Sequence, residues 1–168
     1  MNVCLFTFVD LYSKGLSTLA HILDQGAAFA AAKGASADDI LEWRLVDDMN
    51  PLRFQAFVVI NFSKQWSARA AGVEVPADIP SDLNFAGVKA AVAEAQSFLK
   101  TLKAEQFAGR DAVLHKANLG VMEPELPLGQ WLTGFATTNF YFHLSTAYAI
   151  LRAKGVQIGK RDLFAGGL

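Results

Sequence analysis

One stretch, Leu52–Ala71, limits the possible folds more than any other part of the chain. Apolar side chains recur along it at the three- and four-residue spacing of an α-helix, and Phe54, Phe57 and Ile60 fill the faces between them. Gly72 follows directly and is a typical helix stop. Because a helix that is apolar nearly all round is buried on several sides, this segment predicts a helix enclosed by others.

Three further segments have the apolar periodicity of long helices, namely residues 3–33, 84–103 and 129–154. Together with Leu52–Ala71 they are numerous and long enough to form a four-helix bundle. Residues 107–127 alternate apolar and polar side chains and contain two prolines, which predicts a short hairpin or an irregular insertion. We therefore expect an all-α four-helix bundle with that insertion before the last helix, as a single domain over residues 1–168.

The composition argues against several classes of protein. Hydrophobic residues make up 52% of the chain and charged residues 18%, so either the core is large or a partner covers apolar surface. The net charge is -1, and no basic cluster suggests a nucleic-acid partner. Apolar runs such as residues 56–60 are far too short to cross a bilayer. The opening MNVCLFTFVD lacks the basic region of a signal peptide, so we expect a cytoplasmic protein with no membrane partner.

The most informative polar pair is Asn139 and His143, in the last predicted helix. His143 falls in one row with Leu132 and Ile150 at helical spacing, so its side chain should point inward. Asn139 lies four residues earlier and should occupy the same face, one turn away. Two interpretations stay open. The pair is either a buried histidine hydrogen-bonded to an asparagine, or a site for a metal ion or a substrate oxygen.

A metal site in the core of such a bundle has few candidate ligands. Residues 51–73, which include the second helix, contain no histidine, aspartate or glutamate. The inward polar candidates there are Gln55, Asn61 and Gln65, whose side-chain amides are poor ligands for zinc or nickel. The other two histidines have simpler interpretations, because His21 falls on the polar face of the first helix and His115 lies in the insertion.

Two charged clusters lie outside the helices. Arg44 precedes Asp47 and Asp48, which predicts either a local ion pair at the entry to the second helix or a clamp for a substrate. The other cluster follows a glycine near the end of the chain and consists of Lys160, Arg161 and Asp162. We expect this tail to be solvated, with docking on the bundle or on a second subunit as the alternative.

Four segments are distinctive: RLVDDMNPLRFQ (44–55), AGVEVP (71–76), NFYFHLSTAYAILRAKGV (139–156) and IGKRD (158–162). With these segments, and with the opening FVDLYSKGLSTLAHIL, the chain resembles an uncharacterised bacterial domain-of-unknown-function family within the DinB/YfiT-like superfamily of metalloenzymes. The resemblance covers essentially the whole chain. It implies a DinB-like four-helix bundle, which is often a dimer in that superfamily.

The resemblance also implies a place for a metal site. Many members of the superfamily hold a divalent metal with one histidine from the second helix and a His-x-x-x-His pair from the last. His143, nine residues before Arg152, matches the second histidine of that pair, whereas Asn139 stands in place of the first. Asn61 lies near the position of the ligand from the second helix. The implied site is therefore degenerate, no cofactor is expected, and His143 would be the ligand of any zinc or nickel ion.

These observations lead to two functional hypotheses. The first is a DinB-like homodimer in which an apolar cavity beside His143 and Asn139 binds a small molecule. The alternative is a metal-dependent transferase or hydrolase that uses His143. In that case His115 or a carboxylate from a loop would have to complete the set of ligands.

Overall fold

Four long helices form a bundle in the computed structural model, which describes residues 4–167. They are α1 (Thr7–Ala32), α2 (Leu52–Ala71), α3 (Phe85–Thr101) and α4 (residues 128–153). Within α4, a π-helical turn, Trp131–Ala136, separates the α-helical segments Leu128–Gln130 and Thr137–Ala153. Short 3₁₀ helices span Asp39–Glu42, Ala104–Phe107 and Lys160–Phe164. The all-α bundle predicted from the sequence is confirmed.

The second helix lies at the centre of the bundle. It packs against α1, α3 and α4, and the side chains of Leu52, Ala56, Val59 and Ile60 are fully buried. Its end at Gly72, which has φ of 71°, is the left-handed stop expected of a glycine. The inference that Leu52–Ala71 is a helix buried on several sides is therefore confirmed, with the same bounds.

The insertion before the last helix is a short antiparallel hairpin. Strand β1 (Leu114–Lys116) pairs with β2 (Glu125–Pro127), and His115 lies opposite Leu126. The indole Nε1 of Trp131 donates a hydrogen bond of 2.8 Å to the carbonyl oxygen of His115. Because Trp131 belongs to the π turn, this bond fixes the hairpin to the beginning of α4.

The ends of three helices differ from the predicted ones. The first helix begins at Thr7 rather than at residue 3, which lies outside the described residues, and the third ends at Thr101 rather than at residue 103. The fourth spans residues 128–153 rather than 129–154. The π turn in α4 was not predicted, because the apolar pattern of this segment also fits an uninterrupted α-helix. Within residues 4–167, no helix combines the length and the apolar character that a membrane span requires.

The charged tail docks on the bundle through Asp162, while Lys160 and Arg161 are exposed. Val156 and Ile158 are buried, and they carry the following 3₁₀ helix, Lys160–Phe164, onto α1. There the Asp162 carboxylate lies 2.6 Å from Nε2 of His21. Hydrogen bonds from the Gly159 amide and from His21 lower the pKa of Asp162. For Asp162 the structure therefore has the alternative of docking on the bundle, because apolar residues before the charges anchor the segment.

Close packing between α1 and α4 generates a first prediction. A Cβ atom added to Gly15 would lie 2.4 Å from the ring of Phe140, which is fully buried. We expect Gly15→Ala to lower the free energy of unfolding by about 1–3 kcal/mol through overpacking. Gly134→Ala is the matched control in α4, since no described atom lies within 4 Å of its added Cβ. Denaturant unfolding of both variants checks this, and equal stability of the two would contradict it.

Candidate functional site

His143 is held by a glutamine of the second helix. Its Nδ1 lies 2.7 Å from Oε1 of Gln55, while Nε2 of Gln55 donates a hydrogen bond of 2.9 Å to the carbonyl oxygen of Asn50. Because Asn50 fixes the orientation of the amide, Oε1 of Gln55 is an acceptor and Nδ1 of His143 carries the proton. The lone pair of the imidazole is then on Nε2.

Aromatic rings surround this imidazole. The ring of Phe54 lies 5.8 Å from the His143 ring and that of Phe142 lies 5.1 Å away, both in edge-on geometry. Burial among these groups lowers the pKa of His143, so the imidazole is neutral at physiological pH. A neutral imidazole with a free Nε2 lone pair can accept a hydrogen bond or a proton.

The other two predicted site residues have different partners. Oδ1 of Asn61 accepts a hydrogen bond of 3.0 Å from the amide of Ile79 and thereby holds the segment between α2 and α3. Oδ1 of Asn139 is buried and has no hydrogen-bond partner within the described part of the chain. His143 is therefore bonded to Gln55 and not to the asparagine one turn away. The sequence named Gln55 among the inward polar residues but gave no reason to pair it with His143.

These residues do not fit the three-histidine metal site of the superfamily. The side chains that meet or neighbour His143 on this face are the neutral amides of Gln55 and Asn139. Among residues 4–167, no group of three histidine, cysteine, aspartate or glutamate side chains is arranged to hold a metal ion. An amide oxygen is a weak ligand for zinc or nickel, so the donor set favours other chemistry at this position.

A cleft of about 720 Å³ opens beside Asn139, between α2, α4 and the β-hairpin. We call it the hairpin cleft. It is lined by Phe62, Gln65, Trp66, Arg69, His115, Lys116, Ala117, Asn118, Leu119, Phe135 and Asn139. His143 is not among these residues. The cleft therefore differs from the predicted cavity closed jointly by His143 and Asn139.

Phe62, Trp66 and Phe135 form an aromatic wall of the hairpin cleft, and Trp131 packs behind Trp66. The rings of Trp66 and Trp131 are stacked with centroids 5.2 Å apart, and the Phe135 ring meets Trp66 edge-on at 6.0 Å. The Phe62 and Phe135 rings lie 5.8 Å apart. Trp131 and Phe135 both come from the π turn, and such turns occur frequently at functional sites.

The polar side of the cleft is positively charged. The guanidinium of Arg69 lies 5.2 Å from the Trp66 ring centroid, in cation–π geometry. Burial lowers the pKa of Arg69, but a guanidinium remains charged at neutral pH. Burial and the nearby Arg69 lower the pKa of His115, so that imidazole is neutral. Of the described residues that line the cleft, none is acidic.

The loop before the second helix is held without the predicted ion pair. Nη1 of Arg44 donates a hydrogen bond of 2.5 Å to the carbonyl oxygen of Met49. In the described range, neither Asp47 nor Asp48 forms an ion pair with it. A backbone carbonyl a few residues along the chain is within reach of the guanidinium, and it satisfies the donor that the carboxylates were expected to satisfy.

Comparisons with known proteins agree with this architecture. A family model described as "Domain of unknown function (DUF1993)" matches residues 6–164. The chain is similar to a crystal structure of a DinB family member from Shewanella denitrificans, with 28% sequence identity and a TM-score of 0.87. That match covers 95% of this chain and 90% of the other. No curated protein matches significantly. The expected relation to an uncharacterised DinB-like family is confirmed.

The geometry around His143 predicts its titration. We expect the folded-state pKa to lie below the value of about 6.5 for a free histidine, with Nδ1 protonated. Since the unfolded chain then binds the proton more tightly, the free energy of unfolding should fall as the pH drops through 6.5 towards the folded-state pKa. Long-range ¹H–¹⁵N spectra across this range report both the tautomer and the pKa.

Two glutamine variants test the cause of that tautomer. Gln55→Leu removes the acceptor for Nδ1–H and should abolish the tautomer preference of His143. Gln65→Leu is the control, because Gln65 instead binds Pro76 and Asp78 in the segment after α2. An unchanged tautomer in Gln55→Leu would contradict the assignment.

Proposed function

The chain belongs to the DUF1993 family, and on that premise we propose that it binds a small molecule in the hairpin cleft. In this proposal Asn139 remains a ligand-binding residue, as predicted, but the pocket lies nearer to the hairpin than the predicted cavity beside His143. The DinB-like bundle supplies the rigid walls in α2 and α4, and the β-hairpin supplies the third wall. Sites that rigid helices form in this way hold a ligand in a defined orientation.

The buried oxygen of Asn139 carries the proposal. A buried acceptor without a partner costs about 1–3 kcal/mol relative to a satisfied one. Native proteins rarely leave such a group unpaired, and where they do, a ligand or an ordered water is a common explanation. Oδ1 of Asn139 is buried without a partner in the described chain, and the same residue lines the cleft. An N–H or O–H group of a bound ligand would satisfy it.

The size and lining of the cleft support the same conclusion. Its volume of about 720 Å³ lies within the range of roughly 300–1,000 Å³ that is typical of small-molecule sites. Aromatic rings form one part of its wall, whereas six of its eleven lining residues are polar or charged. A wall of this mixed character suits a ligand that has both an apolar body and polar groups.

The alternative function, a metal-dependent transferase or hydrolase that uses His143, has less support. The neutral imidazole is chemically suitable as a ligand or a base. However, the amides of Gln55 and Asn139 are poor metal ligands, and Gln55 already engages Nδ1. His115 lies in the hairpin cleft, which His143 does not line. Binding without catalysis is therefore the function that we propose.

Binding can be tested with 2-naphthol, a neutral aromatic probe with one O–H donor. The chain has three tryptophans; Trp66 lines the cleft, and Trp131 stacks on Trp66 from behind. The third, Trp43, packs against Phe29 of the first helix. We expect 2-naphthol to shift the indole N–H signals of Trp66 and Trp131 in ¹H–¹⁵N spectra and to leave that of Trp43 in place.

Asn139→Leu supplies the matched variant for this test. It removes the acceptor while keeping a side chain of similar size, so 2-naphthol should bind about tenfold more weakly, as expected for the loss of one hydrogen bond. Thr138→Leu, at the exposed neighbouring position on the same helix, does not line the cleft and should leave the affinity nearly unchanged. The proposal fails if no indole signal moves at millimolar probe, or if all three move together.

We also propose that the protein is a homodimer. Phe54, Phe57, Phe142 and His143 form a cluster on α2 and α4, which we call the aromatic patch. Phe54 is 38% exposed and Phe142 is 57% exposed. Exposed aromatic groups that adjoin one another often mark an interface between proteins. A second copy offers the same apolar patch, which can pair with itself across a two-fold axis.

The oligomeric state decides this proposal. Light scattering coupled to size-exclusion chromatography should give twice the mass of the 18.2 kDa chain at micromolar concentration. Phe142→Glu should yield a monomer, because it places a charge in the aromatic patch. Val121→Glu is the control, since Val121 is 93% exposed at the tip of the hairpin. A monomeric unsubstituted protein would refute dimerisation, and a dimeric Phe142→Glu would refute this interface.

A further inference from the structure

We propose that the ligand of the hairpin cleft is a planar aromatic carboxylate, with the carboxylate on Arg69 and a hydrogen-bond donor at its other end on Asn139. This inference rests on the proposed function and goes further by naming the chemical class of the ligand. Three features of the cleft carry it: the aromatic wall, the guanidinium of Arg69, and the distance between Arg69 and Asn139.

The aromatic wall selects a flat, apolar body. Trp66 is nearly buried between Trp131 and Arg69, whereas the rings of Phe62 and Phe135 are partly exposed in the cleft. Aromatic rings prefer offset-stacked or edge-on neighbours, and Phe62 and Phe135 offer such contacts to a ring in the cleft. A flat body therefore gains more contact here than a branched aliphatic one of equal size.

Arg69 selects an acidic group. Its guanidinium is half-buried over Trp66, and no ion pair joins it to a carboxylate among residues 4–167. Asp78 acts on Arg69 only through space, and the Asp78 carboxylate accepts a hydrogen bond from Gln65. The planar fork of a guanidinium matches a carboxylate through two parallel hydrogen bonds. The flat face stacked on Trp66 leaves the edges of the fork available for that contact.

The charge available in the cleft favours a carboxylate over a phosphate. Lys116, the other cation of the lining, is paired with Glu123 at 2.9 Å. His115 is neutral, because burial and Arg69 both lower its pKa. One guanidinium then remains to balance the ligand, which suits a single negative charge better than the nearly double charge of a phosphate monoester.

The separation of the two polar groups sets the length of the ligand. Contacts of Gln55 with His143 and of Phe62 with Phe135 show that α2 and α4 run antiparallel. Arg69 lies beyond the Phe62–Phe135 contact towards the C-terminus of α2, and Asn139 lies beyond it towards the C-terminus of α4. Because the helices are antiparallel, these directions are opposite. At about 1.5 Å per residue, the two Cα atoms are therefore roughly 15 Å apart along the bundle axis.

The side chains shorten that gap. Helical side chains tilt towards the N-terminus of their own helix, so those of Arg69 and Asn139 lean towards each other. The space left between the two head groups suits one aromatic ring with a short acidic arm. The donor and the acid must then lie at opposite ends of the ligand rather than side by side.

A pair of probes that differ only in charge tests this inference. Isothermal titration calorimetry at neutral pH compares 4-hydroxycinnamate with its neutral amide, 4-hydroxycinnamamide. We expect the acid to bind about tenfold more tightly or better, as a charge-assisted hydrogen bond to a guanidinium should give. Cinnamate, which lacks the hydroxyl donor for Asn139, should bind more weakly than 4-hydroxycinnamate.

Two variants assign the preference to one residue. Arg69→Gln should remove the difference in affinity between acid and amide, and far-ultraviolet circular dichroism shows whether the variant is folded. Lys64→Gln is the control, because Lys64 lies on the same helix but does not line the cleft. If Arg69→Gln does not fold, the comparison of acid with amide on the unsubstituted protein still decides the question.

The outcomes distinguish a failure of this inference from a failure of the proposed function on which it rests. Equal affinity for acid and amide, or a preference that survives in Arg69→Gln, overturns the carboxylate while small-molecule binding stands. Binding of 2-naphthol without binding of either cinnamic probe also overturns it. Failure of all these probes, 2-naphthol included, overturns the proposed function itself.

Discussion

The enclosure of α2 by the other helices is the constraint on which the rest of the structure depends. A helix buried on several sides cannot leave its polar side chains to water, so unpaired polar atoms are costly there. Among its described residues, only Nδ2 of Asn61 and Oγ of Ser67 are buried without a partner. Gln55 bonds to His143 and to the backbone at Asn50, Asn61 binds the amide of Ile79, and Gln65 binds Asp78. The few amides of this apolar helix thereby fix the loops at both of its ends and orient the only histidine of α4.

The same amides explain how this branch departs from the metal-binding members of its superfamily. Glutamine and asparagine satisfy hydrogen bonds without carrying charge, so the centre of the bundle stays neutral where a metal with histidine ligands would stand. The positive charge and the aromatic rings lie further along α2, at Arg69 and Trp66. A DinB-like bundle can therefore carry different side chains at this place, since function depends on the site and not on the fold.

The sequence predicted secondary-structure elements better than it predicted the side-chain contacts between them. Leu52–Ala71 was predicted to the residue because its apolar pattern and Gly72 agree, and the insertion was recognised from its prolines and its alternation. Spacing along one helix placed Asn139 beside His143 but could not reveal Gln55, since contacts across helices depend on how the helices cross. Similarly, the charges of the tail were visible, whereas the anchoring of that tail by Val156 and Ile158 depends on tertiary packing.

The hydrogen bond between Trp131 and His115 attaches the hairpin wall of the cleft to α4. Two strands of three residues each are marginally stable by themselves, so the hairpin is held mainly by its contacts with α4. Such a unit opens locally at a much lower free energy than the helices of the core. On the proposed function, a ligand would enter and leave as the hairpin opens, without any rearrangement of the bundle. Its residence time would depend on the opening rate of the hairpin more than on the surface that it buries.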